Sequence, residues 1–336
     1  MATGRLAPYA HGTHVERALS AASERCIGEA GVEIVFCGTR GSRPAPGAAY
    51  ARFGGQTACV ALARDGARPS LVLDAGSGLV NLDEVMAGQP FRGTILLSHL
   101  HWDHTHGLPF FASGARRGHR VRVLLPEQGA EAETLLARAF SPPHFPVRPS
   151  ALGVGWEFGS LREGEHQLEQ FSVLALEIPH KGGRTFGFRV SDGMHSVAYL
   201  TDHHPLSFGT GPLGVGALHP AAVALAKDVD VLIHDAQFSM EELPELADLG
   251  HSCPEYAVSL AEAAGARRVC LFHHSPHRTD AALNELALRF GGSAVPVTVC
   301  HDGLILAIAA PPRDGTDPEN AQPPGGVRLA SASWSG

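Results

Sequence analysis

Three histidines and an aspartate crowd into the seven residues "SHLHWDH", Ser98 to His104, directly after the apolar run "GTILL". Imidazole and carboxylate groups are ligands that zinc, iron and manganese accept in proteins, and no cysteine thiolate is interleaved with them. A single histidine is usually a surface or core residue, but this many donors within one short segment have the spacing of a metal site. The segment therefore predicts metal ligands at His99, His101, Asp103 and His104.

The four donors follow a segment that is predicted to be a strand. Residues 94–97 are threonine, isoleucine and two leucines, the composition of a buried strand. His99 and His101 are two residues apart and point to the same side of an extended backbone. Asp103 and His104 lie beyond them, where the chain must turn. This spacing predicts two separate pairs of ligands at one strand end.

The pattern H-x-H-x-D-H resembles the signature of the metallo-β-lactamase fold hydrolases, and further donors follow later strand-like runs in the expected order. His180 follows "FSVLALEIP", Asp202 ends "SVAYLTD", and His273 and His274 end "RRVCLFHH". His273 is favoured as the late ligand, because in the related tRNA 3′-end endonucleases the ligand directly follows the strand. His274 stays open as the alternative.

The resemblance implies two divalent metal ions as cofactors. Zinc is the first choice, and manganese or iron is accepted by the same donors. The implied assignment gives one ion to His99, His101 and His180, the other ion to Asp103, His104 and the late histidine, and Asp202 to both ions as a bridge.

Further motifs narrow the resemblance to the tRNA 3′-endonuclease (ribonuclease Z)-like and cyclic-phosphate phosphodiesterase branch. "FCGTRGSRPAPG" and "RFGGQTACVAL" resemble the opening glycine-rich loop and the strand that follows it in those enzymes. "LVLDAG" contains Asp74, and the aspartate at this place in relatives supports a metal-binding histidine. Alternatively, Asp74 is an ordinary aspartate in the turn at a strand end. Arg40 and Arg43 in the glycine-rich loop suit a forked contact with phosphate.

Two later segments, "LIHDAQF" and "LGHSCPEY", resemble loops that flank the metals in the tRNA endonucleases. The resemblance implies that His251 is the general acid for the leaving oxygen and that Asp235 orients it or shares its proton. Alternatively, His251 only packs beside Ser252, a candidate helix N-cap. Asp103 is expected to orient the nucleophile in addition to binding metal.

These residues predict a dinuclear metal-dependent hydrolase that attacks its substrate with a metal-bridging hydroxide. The favoured substrate is a small or nucleotide-like phosphodiester. A carboxylic ester or lactone hydrolase of the same fold is the first alternative, because the same hydroxide attacks a carbonyl. An iron-dependent oxygenase or a non-catalytic metal-binding protein is the alternative from a different class.

Strands with interspersed helices must position these residues. Helices are predicted at 127–140, 220–226, 254–264 and 281–290. Strands are predicted at "EIVFC", "TACVAL", "SLVLD", "TILLS", "VRVLL", "FSVLALEI", "TFGFRV", "SVAYLT", "VDVLIHD", "RRVCLF" and "VPVTVC". This composition fits an α/β fold, a four-layer αββα metallo-β-lactamase sandwich.

One hydrolase domain is predicted at 32–310, between a weakly ordered leader at 1–31 and a disordered tail at 311–336 that is rich in proline, glycine and serine. The opening residues lack the apolar core of a signal peptide, and no stretch approaches the ~20 apolar residues of a membrane span. We therefore expect a cytoplasmic protein without a membrane partner.

The charge pattern bears on the partners. The formal net charge is -8, and Lys181 and Lys227 are the only lysines. No lysine-rich arm lies between His104 and His180, so tRNA is not the expected substrate. We also expect a homodimer, although no motif in the chain specifies an oligomeric state.

Overall fold

Two β-sheets face each other in the computed structural model, which describes residues 31–309 and 327–331. The strands are β1 (Gly31–Gly38), β2 (Cys59–Arg64), β3 (Leu71–Leu73), β4 (Arg92–Leu96), β5 (Arg120–Pro126), β6 (Trp156–Leu161), β7 (Gly164–Leu168), β8 (Phe171–Glu177), β9 (Phe186–Ser191), β10 (Ser196–Leu200), β11 (Val231–Asp235), β12 (Val269–Phe272), β13 (Val297–Val299), β14 (Leu304–Ala309) and β15 (Val327–Ser331). The first sheet has the order β15-β14-β1-β2-β3-β4-β5-β6, and the second has the order β13-β12-β11-β10-β9-β8-β7.

Helices cover the outer face of each sheet. They are α1 (Leu79–Val85), α2 (Ala132–Ala139), α3 (Pro220–Ala226), α4 (Leu243–Leu246), α5 (Pro254–Ala264) and α6 (Asp280–Arg289). Among the described residues, no helix is long and apolar enough to cross a bilayer.

Three buried apolar clusters hold the layers together. Phe36 and Phe272 belong to the cluster between the two sheets. Leu82 and Leu136 pack α1 and α2 against the first sheet, and Leu260 packs α5 against the second. The predicted four-layer αββα sandwich is therefore confirmed.

Strand directions bring several strand ends to one edge of the sandwich. In the first sheet β3, β4, β5 and β6 run parallel, and in the second β10, β11, β12 and β13 run parallel. Strand β8 runs the same way as β10, because each pairs antiparallel with β9. Residues that directly follow β4, β8, β10 and β12 can therefore meet at the seam between the sheets.

The helix bounds predicted from the sequence agree with the structure for some helices and not for others. Helices 220–226 and 254–264 have their predicted bounds, and α5 starts at a proline and stops before Gly265, whose φ is 73°. Helix 127–140 is shorter than predicted and begins at Ala132, because Gly129 has a φ of 74° and keeps the preceding residues in a turn.

Strands β6, β7 and β14 were not predicted. Strands β6 and β7 are edge strands whose polar residues and glycines lack the apolar composition of the central strands. Strand β14 is apolar but pairs antiparallel with β1 from the far end of the chain, with Leu306 opposite Ile34. The apolar run of β14 is itself a strand signal that the prediction missed. Only its pairing with β1 leaves no local signal.

The termini are only partly described. The leader 1–30 and residues 310–326 and 332–336 lie outside the described residues, so their expected order and disorder stay predictions. Val327–Ser331 differ from the expected disorder, because they form β15 on β14, with Val327 opposite Ile308 and Ser331 opposite Leu304. The outer edge of β14 offers unpaired backbone groups that this segment satisfies.

Candidate metal centre

The predicted ligands meet at the seam between the two sheets. The segment from His99 to His104 follows β4 of the first sheet. His180, Asp202 and His273 follow β8, β10 and β12 of the second sheet. The centre therefore depends on both sheets, and neither half of the sandwich contains it alone.

One group of donors consists of His99, His101, His180 and Asp202, whose ligand atoms all lie within 4.8 Å of one another. His180 Nε2 is 3.3 Å from His101 Nδ1. Asp202 Oδ1 is 3.6 Å from His180 Nε2 and 3.8 Å from His99 Nε2. Three imidazoles and one carboxylate oxygen thus converge on a single point.

A second group consists of Asp103, His104 and His273. Asp103 Oδ2 is 3.3 Å from His104 Nε2 and 3.2 Å from His273 Nε2. The other oxygen of Asp202, Oδ2, is 3.1 Å from His104 Nε2 and 3.2 Å from His273 Nε2. Asp202 therefore lies between the two groups and presents one oxygen to each.

The two late histidines have different surroundings. His273 lies in the second group, whereas His274 donates from Nε2 to the carbonyl oxygen of Cys300 at 2.9 Å. His274 is fully buried. The structure brings His273, and not His274, to the cluster.

Asp74 supports this cluster from behind. It accepts hydrogen bonds from His104 Nδ1 at 2.7 Å and from the Tyr199 hydroxyl at 2.8 Å. It also accepts from the backbone N–H and the hydroxyl of Ser98, at 2.6 and 2.8 Å. The carboxylate fixes the proton of His104 on Nδ1 and turns Nε2 toward the cluster, as a metal ligand requires.

The donors fit divalent ions. His99 Nε2 and His104 Nε2 are buried and have no hydrogen-bond partner among the described residues. Buried nitrogens without a partner are costly unless another group satisfies them. Histidine nitrogens with carboxylate oxygens are the set that zinc, manganese and iron accept.

Burial and mutual contact shift the ionisation of the cluster. Burial lowers the pKa of His180 to about 4, so its imidazole is neutral near pH 7. Burial opposes ionisation of Asp202, but the His273 and His104 imidazoles outweigh it and hold the pKa of Asp202 well below its usual range. Burial lowers the pKa of His104, but the carboxylates of Asp202 and Asp103 outweigh burial and raise that pKa well above its usual value. Metals bind neutral imidazoles and ionised carboxylates, so an ion bound here would displace a proton from His104.

His251 and Asp235 lie beside the cluster and form a third group of possible ligands with Asp202 and His273. His251 Nδ1 is 2.8 Å from Asp235 Oδ2, and Asp235 Oδ2 is 3.7 Å from His273 Nδ1. Burial lowers the pKa of His251, but the carboxylate of Asp235 outweighs burial and raises that pKa to about 8. Asp235 Oδ1 accepts from the backbone N–H groups of Gln237 and Ser252 at 2.9 and 3.3 Å.

A cleft of about 490 Å³ opens onto these residues. Its walls are formed by Ser42, Leu100, His101, Trp102, Asp103, Asp202 and His251. The backbone N–H of Ser42 donates to Asp103 Oδ2 at 2.6 Å. The glycine-rich loop therefore reaches the cluster through its backbone.

That loop also corrects one expectation from the sequence. Arg40 does not face the cleft, because it is fully buried and donates to the carbonyl oxygens of Gly54, Ser275 and Arg278. Arg43 is exposed. Arg40 joins loops together and is not available as a phosphate clamp.

Sequence reasoning missed the contacts of Ser42 and Gln237. Gln237 is buried, and its side-chain amide donates to the Ser42 hydroxyl at 3.2 Å. A Cβ at Gly41 would lie 2.2 Å from Gln237 Oε1 and 2.4 Å from His273 Nδ1. The glycine in "TRGS" was the available signal, because a glycine at a metal site marks a close backbone approach.

A family comparison agrees with this geometry. The model of the β-lactamase superfamily domain matches residues 71–274, which include every predicted ligand from His99 to His273. The chain belongs to the β-lactamase superfamily. Within it, ribonuclease Z from Limosilactobacillus fermentum is 28% identical over 255 residues, 64% of this chain and 80% of that relative.

Solved structures share the fold of this superfamily protein. A diphosphatase from the PhnP family has a TM-score of 0.61 and 18% identity, over 83% of this chain and 97% of that chain. The short form of human tRNase Z has a TM-score of 0.55 and 19% identity, over 81% of this chain and 98% of that chain. The predicted metallo-β-lactamase fold is confirmed. The prediction of a hydrolase agrees with the name of the ribonuclease Z relative. The argument against tRNA finds no support, since the relative is named ribonuclease Z.

Proposed function

We propose that this superfamily protein is a dinuclear metal-dependent phosphodiesterase that acts on a small or nucleotide-like phosphodiester. The observation that carries the proposal is the placement of Asp202. Its Oδ1 faces His99 and His180, and its Oδ2 faces His104 and His273. A carboxylate between two groups of imidazoles suits a pair of ions that share one ligand.

In this proposal His99, His101 and His180 would hold one ion, Asp103, His104 and His273 would hold the other, and Asp202 would serve both. Zinc is the favoured ion, and manganese or iron is the alternative. Two divalent ions bound there would lower the pKa of a water at the cluster far below that of bulk water, toward about 7, and would offset the charge of a phosphodiester.

The remaining residues position the reactants and move the proton. Asp103, held by the Ser42 backbone N–H, orients the nucleophile. As the new phosphorus–oxygen bond forms, the bond to the leaving oxygen breaks, and that oxygen needs a proton. His251 lines the cleft and donates it from Nε2, since Asp235 engages its Nδ1.

The names of the relatives support phosphorus chemistry over carboxylic esters. RNA is a chain of phosphodiesters, and one relative is a ribonuclease while one fold neighbour is a diphosphatase. RNA is therefore the second candidate substrate. Against it stand the net charge of -8 and the absence of lysine between His104 and His180.

The deciding experiment compares bis(p-nitrophenyl) phosphate with δ-valerolactone, on purified protein of known metal content. We expect turnover of the diester alone, lost on chelation and in Asp202→Ala. Asp228→Ala is the matched control, because Asp228 is exposed and shares the left-handed backbone of Asp202, with φ of 51° at both residues.

Other outcomes would redirect the proposal. Turnover of the lactone alone moves the substrate class to carboxylic esters. If the protein binds iron and turns over neither substrate, the oxygenase alternative is favoured. A 3′-extended RNA cleaved faster than the small diester makes RNA the substrate.

Three further points stay predictions beside this proposal. Sedimentation equilibrium tests the homodimer, and cell fractionation tests the cytoplasmic location. Limited proteolysis tests the predicted single domain at 32–310; a resistant fragment that reaches Ser331 would add β15 to that domain.

A further inference from the structure

Trp102 is an exposed indole in the wall of the proposed catalytic cleft. It lies between His101 and Asp103, in the short turn Trp102–His104. Asp103 and His104 of that turn are buried, whereas 66% of Trp102 is exposed. The same turn thus directs a carboxylate and an imidazole into the cluster and an indole into the opening.

The indole packs against a neighbouring ring, and hydrogen bonds fix the backbone of its turn. The His106 ring stacks on it, with centroids 5.4 Å apart and planes inclined by 27°. The carbonyl oxygen of Trp102 accepts hydrogen bonds from the backbone N–H groups of Thr105 and His106, at 3.1 and 2.9 Å. His106 lies against one face of the ring, and 66% of Trp102 stays exposed beside it.

An exposed indole beside the proposed phosphate-binding centre suits a ligand that carries both a phosphate and an aromatic ring. Aromatic side chains bind nucleobases by stacking, and the interaction is tolerant of base identity because every base has a π-face. A cleft of about 490 Å³ has the size of sites that take small organic ligands. A phosphate at the cluster would carry its attached ring toward the cleft wall.

We propose that Trp102 is a stacking platform for the nucleobase of the substrate, next to the phosphate that the cluster binds. This inference rests on the proposed phosphodiesterase function and narrows its substrate to nucleotides. In this proposal the base binds to one face of the Trp102 indole, and the protein discriminates little among the four bases.

Calorimetric titration of the metal-loaded protein tests the platform, with adenosine 5′-monophosphate and ribose 5-phosphate as probes. The two ligands differ at C1 of the ribose, where the nucleotide carries adenine and the sugar phosphate carries a hydroxyl. We expect the nucleotide to bind roughly fivefold to a hundredfold more tightly. In Trp102→Ala the ratio of the two affinities falls to about one, and in Trp102→Phe most of the ratio returns.

Phe110→Ala is the matched control, because Phe110 is 60% exposed in the next short turn and lies outside the cleft wall. Equal affinities in the wild-type protein, or a ratio that survives Trp102→Ala, would overturn the platform. Phenyl phosphate that binds as tightly as the nucleotide would overturn the assignment to a nucleobase. The assay on bis(p-nitrophenyl) phosphate decides the phosphodiesterase proposal separately.

Discussion

At the scale of single residues, several imidazoles of the centre are oriented through the ring nitrogen that faces away from it. His104 Nδ1 is held by Asp74 and His180 Nδ1 by the carbonyl oxygen of Gly250, each at 2.7 Å. His99 Nδ1 is 3.0 Å from the Ser98 hydroxyl. The protein therefore sets the direction of the free nitrogens, and a bound ion finds them in place.

Removal of the proposed proton donor should depend on the leaving group. In His251→Ala, diesters with poor leaving groups, such as alkyl or ribose oxygens, should slow by about 10²-fold or more. Bis(p-nitrophenyl) phosphate should slow much less, because nitrophenoxide departs without a proton. Steady-state rates across a leaving-group series measure the difference.

The control for this prediction is metal content, since His251 also lies within reach of Asp202, at 3.7 Å. Full metal occupancy in the variant separates loss of a proton donor from loss of an ion. An equal slowing of both substrate types would remove His251 from the acid role and leave it as a packing residue.

Residues that follow strands could be predicted from the sequence, and residues that meet across loops could not. His180, Asp202 and His273 each come after an apolar run. Because these runs were predicted to be strands, the three residues could be predicted to lie at one edge of a sheet. The contact of the Ser42 backbone with Asp103 joins residues 61 positions apart. Arg40 looked like a phosphate clamp because sequence shows its charge but not its burial.

At the scale of elements, three residues of the centre that come after strands have a left-handed backbone. Asp74, Asp202 and His273 follow β3, β10 and β12 with φ of 61°, 51° and 56°. A side chain in this conformation costs about 1 kcal/mol or more relative to glycine. The turn redirects each chain away from its strand and aims the side chain at the cluster.

A pair of substitutions measures this strain. Asp202→Gly and Asp202→Ala both remove the carboxylate, but only alanine keeps a Cβ at positive φ. In metal-free protein, Asp202→Gly should therefore be more stable than Asp202→Ala by about 1 kcal/mol. Urea unfolding curves give the difference.

At Asp103 we expect the opposite order of stability for the glycine and alanine variants. It lies in a short helical turn with an ordinary backbone, where glycine is the more flexible and less stable choice. Asp103→Gly should unfold more readily than Asp103→Ala. If the glycine variant were the more stable one at both Asp202 and Asp103, or the less stable one at both, the left-handed turn after β10 would carry no strain.

At the scale of the whole molecule, the centre joins the two sheets. Ligands from the loop after β4 belong to the first sheet, and His180, Asp202 and His273 belong to the second. An ion bound by both sides exists only in the folded sandwich. Metal binding should therefore stabilise the whole domain and not only the loops.

Thermal unfolding measures this linkage. At free zinc 100-fold above its dissociation constant, stability should rise by about 2.7 kcal/mol, and the melting temperature should rise by several degrees. Chelation should reverse the shift, and Asp202→Ala should abolish it. His144→Ala, at an exposed histidine, should keep it. A shift that persists in Asp202→Ala would place the stabilising ion elsewhere.

The return of β14 to the first sheet has a consequence for synthesis. Strand β1 pairs on one side with β2 and on the other with β14, so its second partner is made only after the whole second sheet. At about 5–20 residues per second, that edge stays unpaired for tens of seconds on the ribosome. During this time its apolar residues, Ile34 and Phe36 among them, are open to other nascent chains. The demand for chaperones should therefore fall on β1 and end when β14 has been made.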